Sequence, residues 1–236
     1  MAGKLTIKSF TTLVECGDIG RHFILFGGQA EAGKSTICRD SIIRGLMALG
    51  GPIWHKVVIL SPSCKMQDTW SFLPQEDLFD NPALYCDIIE QIVASQKERD
   101  PTMRRKVLIV VDDVIGSLKP KDATALRTSL INLATSGRWF DVCCWVLTQQ
   151  LKDPLTSNTA IRNNVRLLVC AMVTSTSKDE LVKMVGSKDA VDEAFKEPYR
   201  FVTYDYTGDS TRAAHRLSYC KIDMKLTPKL TVRYRR

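Results

Sequence analysis

Gly28, Gln29, Ala30, Glu31, Ala32, Gly33, Lys34 and Ser35 complete a G-x-x-x-x-G-K-[ST] pattern, the spacing of a loop that holds nucleotide phosphates. Its glycines permit a tight turn that a Cβ would obstruct, so successive backbone N–H groups can point inward at phosphate oxygens. Lys34 supplies a point charge for the β- and γ-phosphates, and the Ser35 hydroxyl is placed to ligate Mg²⁺. A helix starting near Gly33 and running through Thr36 aims its positive end at the same anion.

A second acidic centre follows. The apolar run Val107 to Val111 ends in Asp112 and Asp113. In loops of this kind the partner strand ends in an acid that approaches Mg²⁺, and Asp112 takes that position. Asp113 follows at the mouth of the strand, where a carboxylate can orient or deprotonate an attacking water. The run Cys143 to Thr148 ends in Gln149, a neutral amide placed to sense a γ-phosphate or position the water; Gln150 is the fallback. Without the phosphate loop, each would read as a solvated strand-end group.

The elements that must position these groups are legible as alternating apolar runs and helix-period segments. Strands are expected at Phe23–Gly27, Val57–Ser61, Val107–Asp112, Val142–Thr148 and Val165–Ala171. Helices are expected at Lys34–Leu49, Tyr85–Glu98, Ala123–Ser136, Asn158–Arg162, Asp179–Val185 and Lys188–Lys196. Continuous apolar strands between helices imply an α/β fold with a mainly parallel central sheet covered on both faces, a three-layer arrangement. Aromatic alternation in Phe201–Tyr206, then Ala213–Cys220 beyond Thr207-Gly208-Asp209, reads as a C-terminal antiparallel hairpin at a sheet edge. The stretch Pro62–Pro82, with Trp70, is the longest irregular piece and is expected to be a surface loop with a functional part.

The chain has 236 residues, 44% hydrophobic and 25% charged, an ordinary globular composition. One domain is expected over 1–236, with a core at about 20–172 and the hairpin and basic tail beyond it. Charge-free runs fall short of the roughly 20 apolar residues a membrane span needs, so no membrane partner is expected. The start lacks the apolar segment of a signal peptide, which points to a cytosolic or nuclear setting. Eight cysteines lie scattered with no C-x-x-C pair, and the three histidines are isolated. Reduced thiols and no structural metal are expected. A net charge of +7 and a pI near 9.0 suit a polyanionic partner. Lys221, Lys225, Lys229, Arg233, Arg235 and Arg236 concentrate part of that charge in the tail.

Taken in order, the phosphate loop, the double acid at Asp112–Asp113, Ser136-Gly137-Arg138, the Leu147-Thr148-Gln149 strand end, and Pro154 followed by Ile161-Arg162-Asn163-Asn164 resemble the FtsK-HerA superfamily of P-loop motors. Within it they resemble the poxvirus-type DNA packaging ATPases. The resemblance covers roughly residues 20 to 172. It implies a P-loop NTPase fold of the ASCE/RecA-like kind and hydrolysis of ATP with Mg²⁺ at the interfaces of a homo-oligomeric ring, a hexamer or pentamer. It further implies translocation of double-stranded DNA into a viral capsid at its portal vertex. The setting implied is the host cytoplasm or nucleus at viral assembly sites, or the virion itself. In such rings an arginine from one subunit completes its neighbour's site. Arg162, expected in a loop reaching the subunit edge, is the first choice, Arg138 the second and Arg166 the third.

Two other classes of function use the same loop. A small-molecule or nucleoside kinase would need an acceptor pocket and commonly an Arg-rich lid, and no clear lid stands between Pro120 and Asp141. A nucleotide-gated assembly factor would bind ATP without productive turnover and would tolerate loss of Asp113. For DNA contact the sequence offers the Lys119–Lys121 region and the basic tail.

Overall fold

The computed structural model describes residues 8–9, 19–48, 50–151, 153–171, 175–185, 188–195, 200–205 and 217–221. Among the described residues nine strands form one sheet: β1 (Lys8–Ser9), β2 (Phe23–Gly27), β3 (Lys56–Leu60), β4 (Leu78–Phe79), β5 (Val107–Asp112), β6 (Val142–Thr148), β7 (Val165–Cys170), β8 (Arg200–Asp205) and β9 (Leu217–Lys221), in the order β1-β9-β8-β7-β2-β6-β5-β3-β4. From β7 through β4 every pairing is parallel. β8 and β9 continue antiparallel beyond β7. The turn expected at 207–209 and the basic tail beyond Lys221 lie outside the described residues.

Alternation along the strands sorts the core into two layers. Leu25, Val58, Ile109, Val146 and Leu168 face one side with α2 (Tyr85–Lys97), α3 (Pro120–Ser136), α4 (Thr159–Asn164), α5 (Ser175–Val185) and α6 (Lys188–Ala194). Ile24, Phe26, Ile59, Val110 and Trp145 face the other side, against α1 (Lys34–Leu46) and the 62–82 stretch. With both faces covered, β2, β5 and β6 are buried at every position, which is why they read as unbroken apolar runs. The expected bounds of these three strands hold.

Other expectations change for local reasons. α3 begins at Pro120 rather than Ala123, because proline is suited to the first helical position. α1 stops at Leu46, three residues early. α5 begins at Ser175 rather than Asp179 and ends at Val185 as expected. The 62–82 stretch contains β4, which adds a strand beside β3, and it buries Cys64, Trp70, Phe72 and Leu73. It is a packed excursion rather than a simple surface loop. Six described cysteines are free, and no described helix is long and apolar enough to cross a membrane.

The strand order places β2 between β6 and β7, while the chain leaves β2 toward β3 on the far side of β5. In open parallel sheets such a divergence opens a crevice at the carboxyl ends of the strands. The ends of β2, β5 and β6 bring Gly27, Asp112 and Thr148 to that crevice.

Candidate functional site: a phosphate cleft at the strand ends

The loop leaves β2 through Gly28 (φ 149°) and enters α1 through Gly33 (φ 87°), with Glu31 also left-handed at φ 61°. The Gly28 N–H donates to the Thr148 carbonyl at 3.2 Å, fixing the loop to β6. No side chain caps α1, and no acid stands in its first turn. The opening N–H groups therefore face the cleft as an anion site. Lys34 is buried, and its Nζ donates to the carbonyls of Gly28 (2.8 Å) and Gln29 (2.6 Å). Burial lowers its pKa, while Asp112, Asp113 and Cys170 act in the opposite direction.

Across the cleft, the Ser35 hydroxyl lies 3.5 and 3.4 Å from the two carboxylate oxygens of Asp112. Burial, joined by the charge on Asp113, pushes the Asp112 carboxyl up to about 6, against Lys34, Ser35 and Trp70, which lower it. The Trp70 indole N–H, fully buried, faces this carboxylate without closing a full hydrogen bond. Asp113 turns out of the strand at φ 50°, a conformation that Asp tolerates better than most residues. That turn carries its carboxylate to Gln149, whose Nε2 donates to Oδ2 at 2.7 Å. Two groups 36 positions apart in the sequence thus meet at the mouths of adjacent strands.

The cleft has a volume of about 410 Å³ and is lined by Ala30, Glu31, Gly33, Lys34, Ser35, Thr36, Ser63, Gln67, Thr69, Asp112, Asp113 and Gln149. Three of these are acids, and Lys34 is the sole Lys or Arg among them. A polyphosphate entering alone would meet net negative charge, so the cleft favours one that arrives with a hard cation. A hydroxyl and a carboxylate at this spacing are the protein oxygens such a cation takes, the remainder coming from phosphate and water. The residues present fit Mg²⁺ carried with a nucleoside triphosphate, held by Ser35 and Asp112.

Sequence reasoning missed several contributors. Ser63, Gln67 and Thr69 reach the cleft from the 62–82 stretch, and their only signal was the length of that stretch. Asp153, buried, accepts from the Thr148 hydroxyl and the Leu155 N–H, both at 2.6 Å. It ties down the segment after Gln149, and burial raises its pKa. Leu151 packs at the base of the loop so closely that a Cβ on Gly27 would lie 2.6 Å from it.

The arginines lie elsewhere in the fold. Arg162 is on α4, not in a loop: its Nη1 donates to Glu180 of α5 at 2.9 Å, and its Nη2 donates to the Leu151 carbonyl at 3.2 Å. Arg138 sits exposed in the turn Gly137–Phe140 before β6, over the Trp139 ring at 5.2 Å. Arg166 is exposed on β7. Arg138 and Arg166 are at the starts of parallel strands, the opposite end from the cleft of their own chain.

A glycine-rich loop between strand and helix, with an acid at the end of a neighbouring parallel strand, defines the P-loop nucleoside triphosphatase fold. No protein-family model matches the chain, and no curated protein matches it. Solved structures do. The DNA-packaging ATPase B204 from Sulfolobus Turreted Icosahedral Virus aligns over 86% of this chain and 98% of its own, at 12% identity and a TM-score of 0.57. The pCW3 conjugation coupling protein TcpA, solved with ATPγS, aligns over 86% of this chain and 60% of its own, at 12% identity and a TM-score of 0.59. The cytoplasmic domain of the Type VII secretion ATPase EccC from Thermomonospora curvata aligns over 87% of this chain but 24% of its own, at 16% identity and a TM-score of 0.58. At these identities the likeness is one of fold. The chain has the α/β P-loop ATPase fold that these structures share, the fold class expected from the sequence.

Proposed function

We propose that this chain is an ATP-hydrolysing motor of the FtsK-HerA superfamily that works as a subunit of a ring and drives double-stranded DNA into a viral capsid. The observation that carries the reading is the Asp113–Gln149 pair at 2.7 Å, next to the phosphate loop. A phosphate-binding protein without hydrolysis has no need of a carboxylate and an amide joined where the γ-phosphate and its attacking water belong. Likeness of fold to B204 across nearly the whole of both chains supports the packaging role. So does the net charge of +7, which suits a polyanionic track.

In this mechanism Lys34 exchanges its carbonyl partners Gly28 and Gln29 for phosphate oxygens. Ser35 and Asp112 would hold a Mg²⁺ brought in with the nucleotide, which would supply positive charge for the phosphate oxygens. Asp113 orients the water and takes its proton, and Gln149 fixes the carboxylate and the γ-phosphoryl group relative to each other. An arginine from the adjacent subunit supplies the remaining positive charge. Arg138 is the better placed, since it is exposed while Arg162 is held by Glu180 and Leu151. The work takes place at viral assembly sites, with the capsid portal as partner.

The test is phosphate release by the full chain with and without double-stranded DNA. DNA should stimulate turnover, with stimulation falling steeply as salt rises. Equal turnover with and without DNA in the assembled ring, with portal protein present, would sink the motor reading.

A further inference from the structure

We propose that Trp70 is a positioning residue of the nucleotide site: its indole N–H closes onto the Asp112 carboxylate and fixes it for the cation that arrives with the triphosphate. The proposal rests on the assignment of that cation to Ser35 and Asp112, and it gives the 62–82 stretch a part in the chemistry.

Asp112 ends β5 at 5% exposure, and few donors reach its carboxylate. The side-chain donors that bear on it are the Ser35 hydroxyl and the Trp70 indole. Ser35 stands 3.5 and 3.4 Å from the two oxygens, longer than an ordinary O–H···O bond and committed to neither. Lys34 is occupied with the Gly28 and Gln29 carbonyls. Cys38, one turn along α1 from Ser35, is fully buried, and burial followed by the Asp112 charge pushes its thiol well up. A thiol is a weak donor. Once Ser35 turns its oxygen to a cation, Trp70 is the strong donor that stays with the carboxylate.

Trp70 is itself firmly placed. It closes the short 3₁₀ turn Asp68–Trp70, where the Ser71 N–H and hydroxyl donate to the Asp68 carbonyl at 3.2 and 2.8 Å and the Leu73 N–H donates to the Trp70 carbonyl at 3.0 Å. The turn packs against α1, and the ring lies fully buried in the layer that holds Phe26, Ile37, Cys38 and Leu73. β4 pairs with β3, Ile59 beside Leu78, and so ties the far end of the stretch to the sheet. Gln67 and Thr69, next to Trp70 in the chain, line the cleft itself.

The indole N–H has no full partner. A buried donor without a partner, facing a buried carboxylate with few donors, leaves two polar groups unsatisfied that a single bond would satisfy. That bond, from N–H to an ionised oxygen, is of the charge-assisted kind. The residue type suits the task. An indole donates and offers no lone pair, so it can steady Asp112 without competing for the cation.

Two substitutions separate this role from packing. Trp70→His keeps a five-membered ring whose Nε2 falls where the indole nitrogen was, whereas Trp70→Phe fills more of the buried space but has no N–H. Stability should therefore fall further in Trp70→His, while the need for Mg²⁺ should rise further in Trp70→Phe. Binding of fluorescently labelled ATPγS to the full chain is followed as Mg²⁺ is titrated, with binding in EDTA as the reference, so turnover plays no part. Trp70→Phe should need about 10–100-fold more Mg²⁺ than the wild type, at unchanged affinity in EDTA, and Trp70→His should lie nearer the wild type. An unchanged Mg²⁺ requirement in Trp70→Phe, the same rise in both variants, or an equal loss of affinity in EDTA overturns the proposal. In the wild type, labelled with ¹⁵N at its four tryptophans, the Trp70 indole signal should move downfield when Mg²⁺ joins bound ATPγS. The absence of any Mg²⁺-dependent indole signal overturns the proposal even where neither variant folds. Wild-type nucleotide binding that ignores Mg²⁺ overturns the cation assignment itself, a result distinct from a wild type that needs Mg²⁺ and a Trp70→Phe variant that needs no more.

Discussion

Replacing Arg162 with alanine separates two roles that the sequence left open. As a trans-acting arginine, Arg162 would contribute to catalysis in a neighbour and little to the fold of its own chain. In the structure it is two-thirds buried, its side chain 29% exposed and that of Glu180 13% exposed. A hydrogen bond to a charged partner contributes about 1.5–3 kcal/mol, and one to a carbonyl about 1 kcal/mol. Arg162→Ala removes one of each and takes a cation away from a mostly buried carboxylate, so the expected loss is about 2–4 kcal/mol of unfolding free energy. Glu180→Gln keeps a neutral acceptor and should cost roughly half as much. Urea unfolding of the full chain without nucleotide measures both, and an unchanged m-value would locate the effect in the native state. Turnover should fall in cis, because the Leu151 carbonyl belongs to the segment that follows Gln149. The reasoning is refuted if Arg162→Ala lies within about 0.5 kcal/mol of wild type and its turnover is restored by mixing with a Lys34→Ala chain, since that combination is the signature of a trans-acting group.

Asp113→Asn removes the proton acceptor but keeps a group that Gln149 can reach; turnover should drop by about 10²–10⁴-fold with nucleotide affinity retained, and a variant keeping more than a tenth of wild-type turnover would exclude Asp113 as base. The raised carboxyl of Asp112, at about 6, gives a stability difference of fixed sign. Its folded pKa lies above the unfolded value, so the nucleotide-free protein should lose up to about 3 kcal/mol as pH rises from about 4 to about 6. Asp112→Asn should lack that component, and Mg²⁺ with nucleotide should restore the wild type at pH 7. A wild-type-minus-variant difference that stays flat across this range contradicts the assignment. Gly45→Ala would place a Cβ 2.3 Å from the Trp54 ring, which packs edge-on against Trp145 and donates to the Cys143 sulfur. A loss of about 1–3 kcal/mol in thermal or urea unfolding is expected, and an unchanged melting temperature would show that the ring moves aside freely.

What could be read in the sequence was what local physics writes there. β2, β5 and β6 were found to the residue because burial on both faces makes every position apolar, and the phosphate loop because its glycines and lysine are contiguous. The sheet order is not local, so the meeting of Asp113 with Gln149 followed only once β5 and β6 stood side by side. β4 was hidden because two residues among prolines carry no periodicity, and with it went the cleft-lining role of Ser63, Gln67 and Thr69. Asp153 was passed over beside Pro154, although an acid preceding proline after a strand end is a common turn device. Arg162 falls in the short helix expected at 158–162, but its partner Glu180 is 18 positions away, so the contacts that hold it within its own chain were not local.

These corrections concern one stretch of chain, and together they give it a mechanical sense. Between β6 and β7 the chain carries Gln149 into the cleft, presses Leu151 onto Gly27 at the root of the phosphate loop, folds back on Asp153, and enters α4 with Arg162 bonded to the Leu151 carbonyl and to α5. A displacement of Gln149 when the γ-phosphate leaves has a direct covalent route to Leu151 and a hydrogen-bonded one onward to Arg162 and Glu180. Coupling through packed and bonded elements requires two arrangements of such a segment, each favoured by a different ligand state. On the motor reading the nucleotide's state must reach the outer helices, and a bonded path for it runs from the segment after Gln149 through the Leu151 carbonyl to Arg162, the residue expected at a subunit edge.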